Sequence, residues 1–186
     1  MKHSGIIVTG VILSFLLYGF ITYKGLVSAG QDIAGRTAVI EAQLQHRAEL
    51  VSGLVTAAGR FTGHEDPALG QADRAGRKAA AASGLAGRAE ADEELTAALK
   101  NLSALAGRIP QLSSDSAWNG LMNELSGTEQ LIAAAVKERN EIVRIYNTAL
   151  LTFPGNLMAG PAGFAPAEFF RAAPGTEKAL SPGVRP

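Results

Sequence analysis

The sequence predicts an all-α protein: an N-terminal transmembrane helix followed by an up-and-down antiparallel bundle of three or four long helices. Three observations carry that expectation. An uncharged apolar stretch runs from Ser4 to Tyr23 and has no later counterpart, apolar residues then recur at helical spacing through several long segments, and strand-like alternation is nearly absent. The organisation that follows is residues 1–24 as a membrane anchor, 25–153 as a helical bundle and 154–186 as a Pro/Gly-rich tail.

The anchor carries Ile6, Ile7, Val8, Val11, Ile12, Leu13, Phe15, Leu16, Leu17, Phe20 and Ile21, flanked by Lys2 and His3 on one side and Lys24 on the other. About 20 residues at about 1.5 Å each match a hydrocarbon core of about 30 Å. Tyr18 and Tyr23 fall near one end, where the membrane interface favours aromatic rings. A cleaved export signal is the competing reading, with Val27-Ser28-Ala29 as a small-x-small site, although its apolar run is normally shorter. Lys2 and the amine stand against Lys24 and Arg36, so the positive-inside rule discriminates weakly; the expectation is N-terminus inside and bundle outside.

Composition narrows the functions. Of 186 residues, 17 are Lys or Arg and 17 are Asp or Glu, so no net field draws nucleic acid or an anionic membrane surface, and nucleic acid is not expected as a partner. Cysteine is absent, which removes disulfides, thiolate metal sites and a cysteine nucleophile, and leaves the fold to stand on packing.

After the anchor, Ile33, Ile40, Leu54 and Phe61 occupy one seven-residue series while Leu44, Val51 and Ala58 fill the adjacent one, an amphipathic helix continuous with the apolar stretch. Thr62 to Pro67 closes it with a glycine, a candidate cap and a proline suited to a first helical turn. Pro67 to Arg108 reads as two helices or one broken near Gly84 and Gly87, with Leu95, Leu99, Leu102 and Leu105 marking the second half. Gly107 to Ser116 is a stop. A last helix from about Ala117 to Leu151 carries Leu121, Leu125, Ile132, Val136, Val143 and Leu150 on one stripe, with Trp118 and Tyr146 expected in the core. Phe153-Pro154-Gly155-Asn156 ends it, and Leu157, Phe164, Phe169 and Phe170 alternate with turn residues in a tail expected to bury its aromatics locally.

Two segments resemble the LemA family of bacterial membrane-anchored helical proteins. Ile40-Glu41-Ala42-Gln43-Leu44-Gln45-His46-Arg47-Ala48-Glu49-Leu50, then Leu54-Val55 and His64-Glu65, is similar to the family's first-helix pattern. Leu125-Ser126-Gly127-Thr128-Glu129, Tyr146-Asn147-Thr148, Phe153 to Ala159 and Gly163-Phe164 are similar to its later pattern, in the same order. The chain departs from it at His46, at Val51-Ser52-Gly53, at Lys24, around Arg139-Asn140 and at Ser181-Pro182-Gly183-Val184, so it resembles a divergent member. The resemblance implies an up-and-down helical bundle behind an anchor in the bacterial inner membrane, and no established enzymatic activity. Some similar proteins belong to specialised compartments such as the magnetosome membrane.

Arg47 is the side chain of most interest, because it shares the series of Ile40 and Leu54 and so points inward. An inward arginine needs a partner. Glu129, between Leu125 and Ile132 on the last helix, is the expected one, and Arg139 lies about three turns further along that stripe. A structural ion pair that fixes helix register is the plain reading, and a ligand-binding polar cluster the alternative. His64-Glu65-Asp66 reads as a cap, since a closed zinc site takes about four ligands. Neither a catalytic constellation, a metal site nor a cofactor is expected. Arg60, Arg74, Arg77, Lys78 and Arg88, followed by Glu90, Asp92, Glu93 and Glu94, are expected as solvated faces or a head-to-tail contact between subunits.

The predicted function is therefore a non-enzymatic, membrane-anchored scaffold or adaptor. Its expected partners are the lipid bilayer through residues 4–23, other membrane or periplasmic proteins, and a second copy of the chain. A small-molecule or lipid-binding bundle with its polar site at Arg47 and Glu129 is the second reading.

Overall fold

The computed structural model describes residues 2–62 and 66–170. Its elements are α1 (Lys2–Thr62), α2 (Pro67–Ala81), α3 (Gly84–Ala106), α4 (Pro110–Ser113), α5 (Ser116–Leu151) and α6 (Gly155–Ala162), with no strand among the described residues. The apolar stretch and the first amphipathic helix are one unbroken helix, and α1 is long and apolar enough near its start to cross a membrane.

Local chemistry sets the boundaries. Asp66 accepts a hydrogen bond from the Ala68 N–H at 2.8 Å and Pro67 opens α2, which satisfies one donor and removes another. Between α2 and α3, Ala82 and Ser83 are extended and Gly84 has φ of 71°, a left-handed conformation that glycine adopts without a steric penalty. The stretch from Pro67 is thus two helices, broken at the glycine. The stop after Gly107 contains a single helical turn, α4, made possible by Pro110 at its start. Asp115 then caps α5 by accepting from the Trp118 N–H at 2.8 Å.

The described chain divides into two compact units, one built on Thr37–Val136 and the other on Met1–Arg36 with Lys137–Phe170. In the first, α1 contributes Ala48, Val51, Leu54 and Ala58 to a core shared with Leu69 and Ala72 of α2, Leu95, Ala98 and Leu102 of α3, and Trp118 and Leu125 of α5. Successive helices alternate in direction. Gln71 and Lys78 of α2 meet Asn101 and Glu94 of α3 in reverse order, whereas Gln45 and Arg47 of α1 meet Arg88 and Asp92 of α3 in the same order. α2 approaches α1 closely at Gly76, where a Cβ would lie only 3.3 Å from Val51 Cγ1. Phe61, expected on the inner series, is 39 % exposed, because it sits in the last turn of α1 beyond Ala58.

In the second unit the core is small: Leu26 and Ile33 of α1 against Val143, Tyr146 and Leu150 of α5, with Phe164 and Ala167 of the tail packed on them. The tail is more ordered than a string of turns, since α6 forms within it despite Pro161. Gly155 makes the α5–α6 connection, and a Cβ there would lie 1.9 Å from the Ala149 carbonyl oxygen. Phe164 and Phe170 are sheltered as expected, but Phe169 is exposed. Towards its start the described α1 surface is apolar and open: Val11, Ile12, Leu13, Phe15, Leu16, Leu17, Phe20 and Ile21 are each more than half exposed.

Candidate functional site

Arg47 is the centre of the polar cluster. Its seven-residue spacing from Ile40 and Leu54 turns it inward, and only 5 % of its surface remains exposed. Its guanidinium ties three helices together. Nη1 donates to both Asp92 carboxylate oxygens at 2.8 Å, while Nη2 donates to Thr96 Oγ1 at 3.1 Å and to Glu129 Oε1 at 2.8 Å. Nε is buried with no hydrogen-bond partner.

The expected partner Glu129 is present, but the more buried one is Asp92. The Asp92 side chain is 12 % exposed and that of Glu129 54 %. Asp92 is therefore not on a solvated acidic face, as its run of acidic neighbours suggested: three residues before Leu95 and seven before Leu99, it lies on the inner side of α3 with Ala91, Leu95 and Ala98. Burial pushes the Asp92 carboxyl above its ordinary range, the Arg47 guanidinium opposes that shift, and Glu129 and Glu93 add to it. With four of the five Arg47 donors engaged on two other helices, the arrangement is suited to fixing helix register rather than to proton transfer.

Around it lies a belt of exposed polar contacts. Arg88 Nη1 donates to Gln45 Oε1 at 2.8 Å, His46 Nε2 lies 3.1 Å from Glu124 Oε1, and Lys78 pairs with Glu94. Arg88 and Asp92 thus turn to α1, while Lys78 and Glu94 are the members of the basic and acidic runs that pair across the α2–α3 hairpin. An open hollow of about 410 Å³ is lined there by Gln71, Arg74, Ala75, Lys78, Glu94 and Ala97. His64 and Glu65, weighed above as a cap or metal ligand, lie outside the described residues.

Arg139 belongs to the other unit and serves the tail. It is buried, its Nη1 donates to the Glu168 carbonyl at 3.0 Å, and burial lowers its pKa. Two asparagines that the sequence reading did not single out as site residues do the same work more completely. Asn147 donates to the Ala167 carbonyl and accepts from the Ala167 N–H, both at 2.9 Å. Asn140, about two helical turns earlier, pairs in the same way with Phe170 at 2.8 and 2.9 Å. Each carboxamide offers a donor and an acceptor, so it mimics a neighbouring strand and satisfies an extended backbone that has no sheet. The signal in the sequence was the pair itself, two asparagines one heptad apart on the sides of an apolar stripe.

With this geometry established, comparison with known families gives one match: a model of the LemA family covers residues 36–185, spanning both the Arg47 cluster and the asparagine clamp. No curated protein matches the chain significantly.

Proposed function

The chain belongs to the LemA family, and from that premise we propose that it is a non-enzymatic scaffold or adaptor held in a bacterial inner membrane by a single pass of α1. The observation that carries the reading is the band of large apolar side chains from Val11 to Ile21, each more than half exposed. Such an apolar surface is costly in water, and the uncharged stretch of residues 4–23 that carries it is, at about 1.5 Å per residue, about as long as a hydrocarbon core is thick. Retention of the anchor is supported by Leu26. That residue is 2 % exposed against Val143, Tyr146 and Leu150, so cleavage after Ala29 would remove part of a packed core.

The helical unit of Thr37–Val136 would sit on the periplasmic side and present exposed faces of α5 to other membrane or periplasmic proteins, or to a second copy. Leu131, 56 % exposed in mid-helix, is an apolar point on that face. The polar contacts of Arg47 favour this reading over a ligand-binding site, because Asp92, Thr96 and Glu129 already take its terminal nitrogens.

The test is in-cell crosslinking from a photo-reactive residue placed at Leu131 in the full chain. A discrete crosslinked protein that disappears when the probe is moved to a buried position such as Val136 supports the adaptor role. The absence of any crosslink to another protein contradicts it.

A further inference from the structure

The anchor is not the only apolar surface in its unit. From Ile145 to Ala167 the chain carries no charged side chain, bounded by Arg144 and Glu168, and this stretch contains the end of α5, the turn at Pro154-Gly155 and all of α6. Leu151 is 76 % exposed, Phe153 57 % and Leu157 60 %. These three project from the α5–α6 turn.

Ring contacts fix where that turn lies along α1. Tyr23 meets Phe164 at 5.6 Å between centroids, beside Lys24, the first charged residue after the apolar stretch. Phe15 meets Phe153 at 5.9 Å. Phe15 is about 12 Å further along the helix axis than Tyr23, close to the depth of one leaflet of a hydrocarbon core about 30 Å thick. If Lys24 marks the interface, Phe153 lies well inside the membrane.

We infer that the α5–α6 turn is a second membrane element, an uncharged wedge that enters one leaflet beside α1 and returns without crossing; the inference rests on the membrane reading of α1 above. Its occupant is the lipid acyl phase, because the exposed patch is continuous with the anchor's apolar surface through the Phe15–Phe153 contact.

Hydrocarbon demands that polar main-chain groups find partners internally, and several in the turn do. The Thr152 N–H donates to the Thr148 carbonyl, Asn156 to Thr152 and Leu157 to Pro154 at 3.0–3.1 Å. At the far end Gly163, with φ of 73°, closes α6 while the Phe164 N–H donates to the Ala159 carbonyl at 2.9 Å. The Thr148 and Thr152 hydroxyls donate back to carbonyls one turn earlier, at 2.8 and 3.0 Å. Arg139, Asn140 and Asn147 tie the returning tail to α5 and so hold the turn in place.

The natural absence of cysteine makes the test direct. Single-cysteine full-length chains, Leu157→Cys, Leu17→Cys and Leu131→Cys, are labelled with an environment-sensitive fluorophore and reconstituted into phosphatidylethanolamine/phosphatidylglycerol vesicles, with nitroxide-labelled lipid or aqueous iodide as quencher. The expected result is that Leu157→Cys behaves like Leu17→Cys, with blue-shifted emission, quenching by acyl-chain nitroxide and a several-fold lower iodide sensitivity than Leu131→Cys. Leu157→Cys quenched by iodide as strongly as Leu131→Cys, with Leu17→Cys still lipid-quenched, overturns the wedge and leaves the anchor standing. Iodide quenching at both Leu17 and Leu157 overturns the anchor, and the wedge with it.

Discussion

The two compact units solve burial in opposite ways. In Thr37–Val136 four helices close around leucines and alanines, and the charged cluster inside that core is matched by Arg47 against Asp92 and Glu129. In Met1–Arg36 with Lys137–Phe170, a core of a few side chains sits beside a much larger apolar surface left open, and Arg139, Asn140 and Asn147 bond main-chain groups of the tail. The first unit encloses its apolar side chains, whereas the second leaves those of α1 and the α5–α6 turn exposed, so the same sequence carries both a charged belt and an uncharged band.

The largest effect that sharpens this contrast is expected at Asp92. Asp92→Ala leaves the Arg47 charge buried beside the half-exposed Glu129 alone, and the expected loss is about 3–5 kcal/mol, read from denaturant unfolding of the detergent-solubilised chain. A loss under about 1 kcal/mol would mean that Glu129 and solvent suffice for Arg47. In the other unit, Asn147→Ala strands the Ala167 N–H and carbonyl, with an expected cost of about 1–3 kcal/mol and early proteolytic release of the tail. Asn147→Asp, which keeps the acceptor and loses the donor, should fall between wild type and alanine. An unchanged cleavage rate in both would remove the clamp from the account.

Glu129→Ala should cost no more than about 1 kcal/mol, since its side chain is 54 % exposed and its pair is screened by water. The smallest effect is on pH dependence. Burial raises the Asp92 carboxyl in the folded chain, so the folded state holds a proton that the unfolded state has released. Stability attributable to this group is therefore highest below the ordinary carboxylate range and declines as pH rises towards the raised value. Asp92→Asn should flatten that slope above the ordinary carboxylate range of about pH 4; an identical slope in wild type and variant would assign it to other groups.

Much of this contrast was legible in the residues. The uncharged stretch to Tyr23, the heptad that turns Arg47 inward, and the proline and glycine punctuation all act within a few residues of chain, and the family patterns around Leu44 and Phe153 lie where the match to the LemA family falls. Asp92 was hidden for a physical reason. Among Glu90, Glu93 and Glu94 it looks like one more solvated acid, and what distinguishes it is its place three residues before Leu95 and seven before Leu99, on the stripe those leucines mark. α6 was hidden by Pro161, Gly155 and Gly160, which are poor helix formers, so its helix depends on the Gly155 turn and the Gly163 cap rather than on propensity. Asn140 and Asn147 stood in plain view, but their role depends on a partner about 20 to 30 residues away in sequence, at Ala167 and Phe170.

The central claim is that a bilayer covers the exposed band of α1. It is tested most directly by alkaline extraction of membranes from cells producing the full chain, with the N-terminal sequence of the retained protein read afterwards. The account predicts that the protein stays with the membrane pellet and still begins ahead of the apolar stretch. Release of the intact chain into the alkaline supernatant, or a mature protein that starts after Ala29, would contradict it.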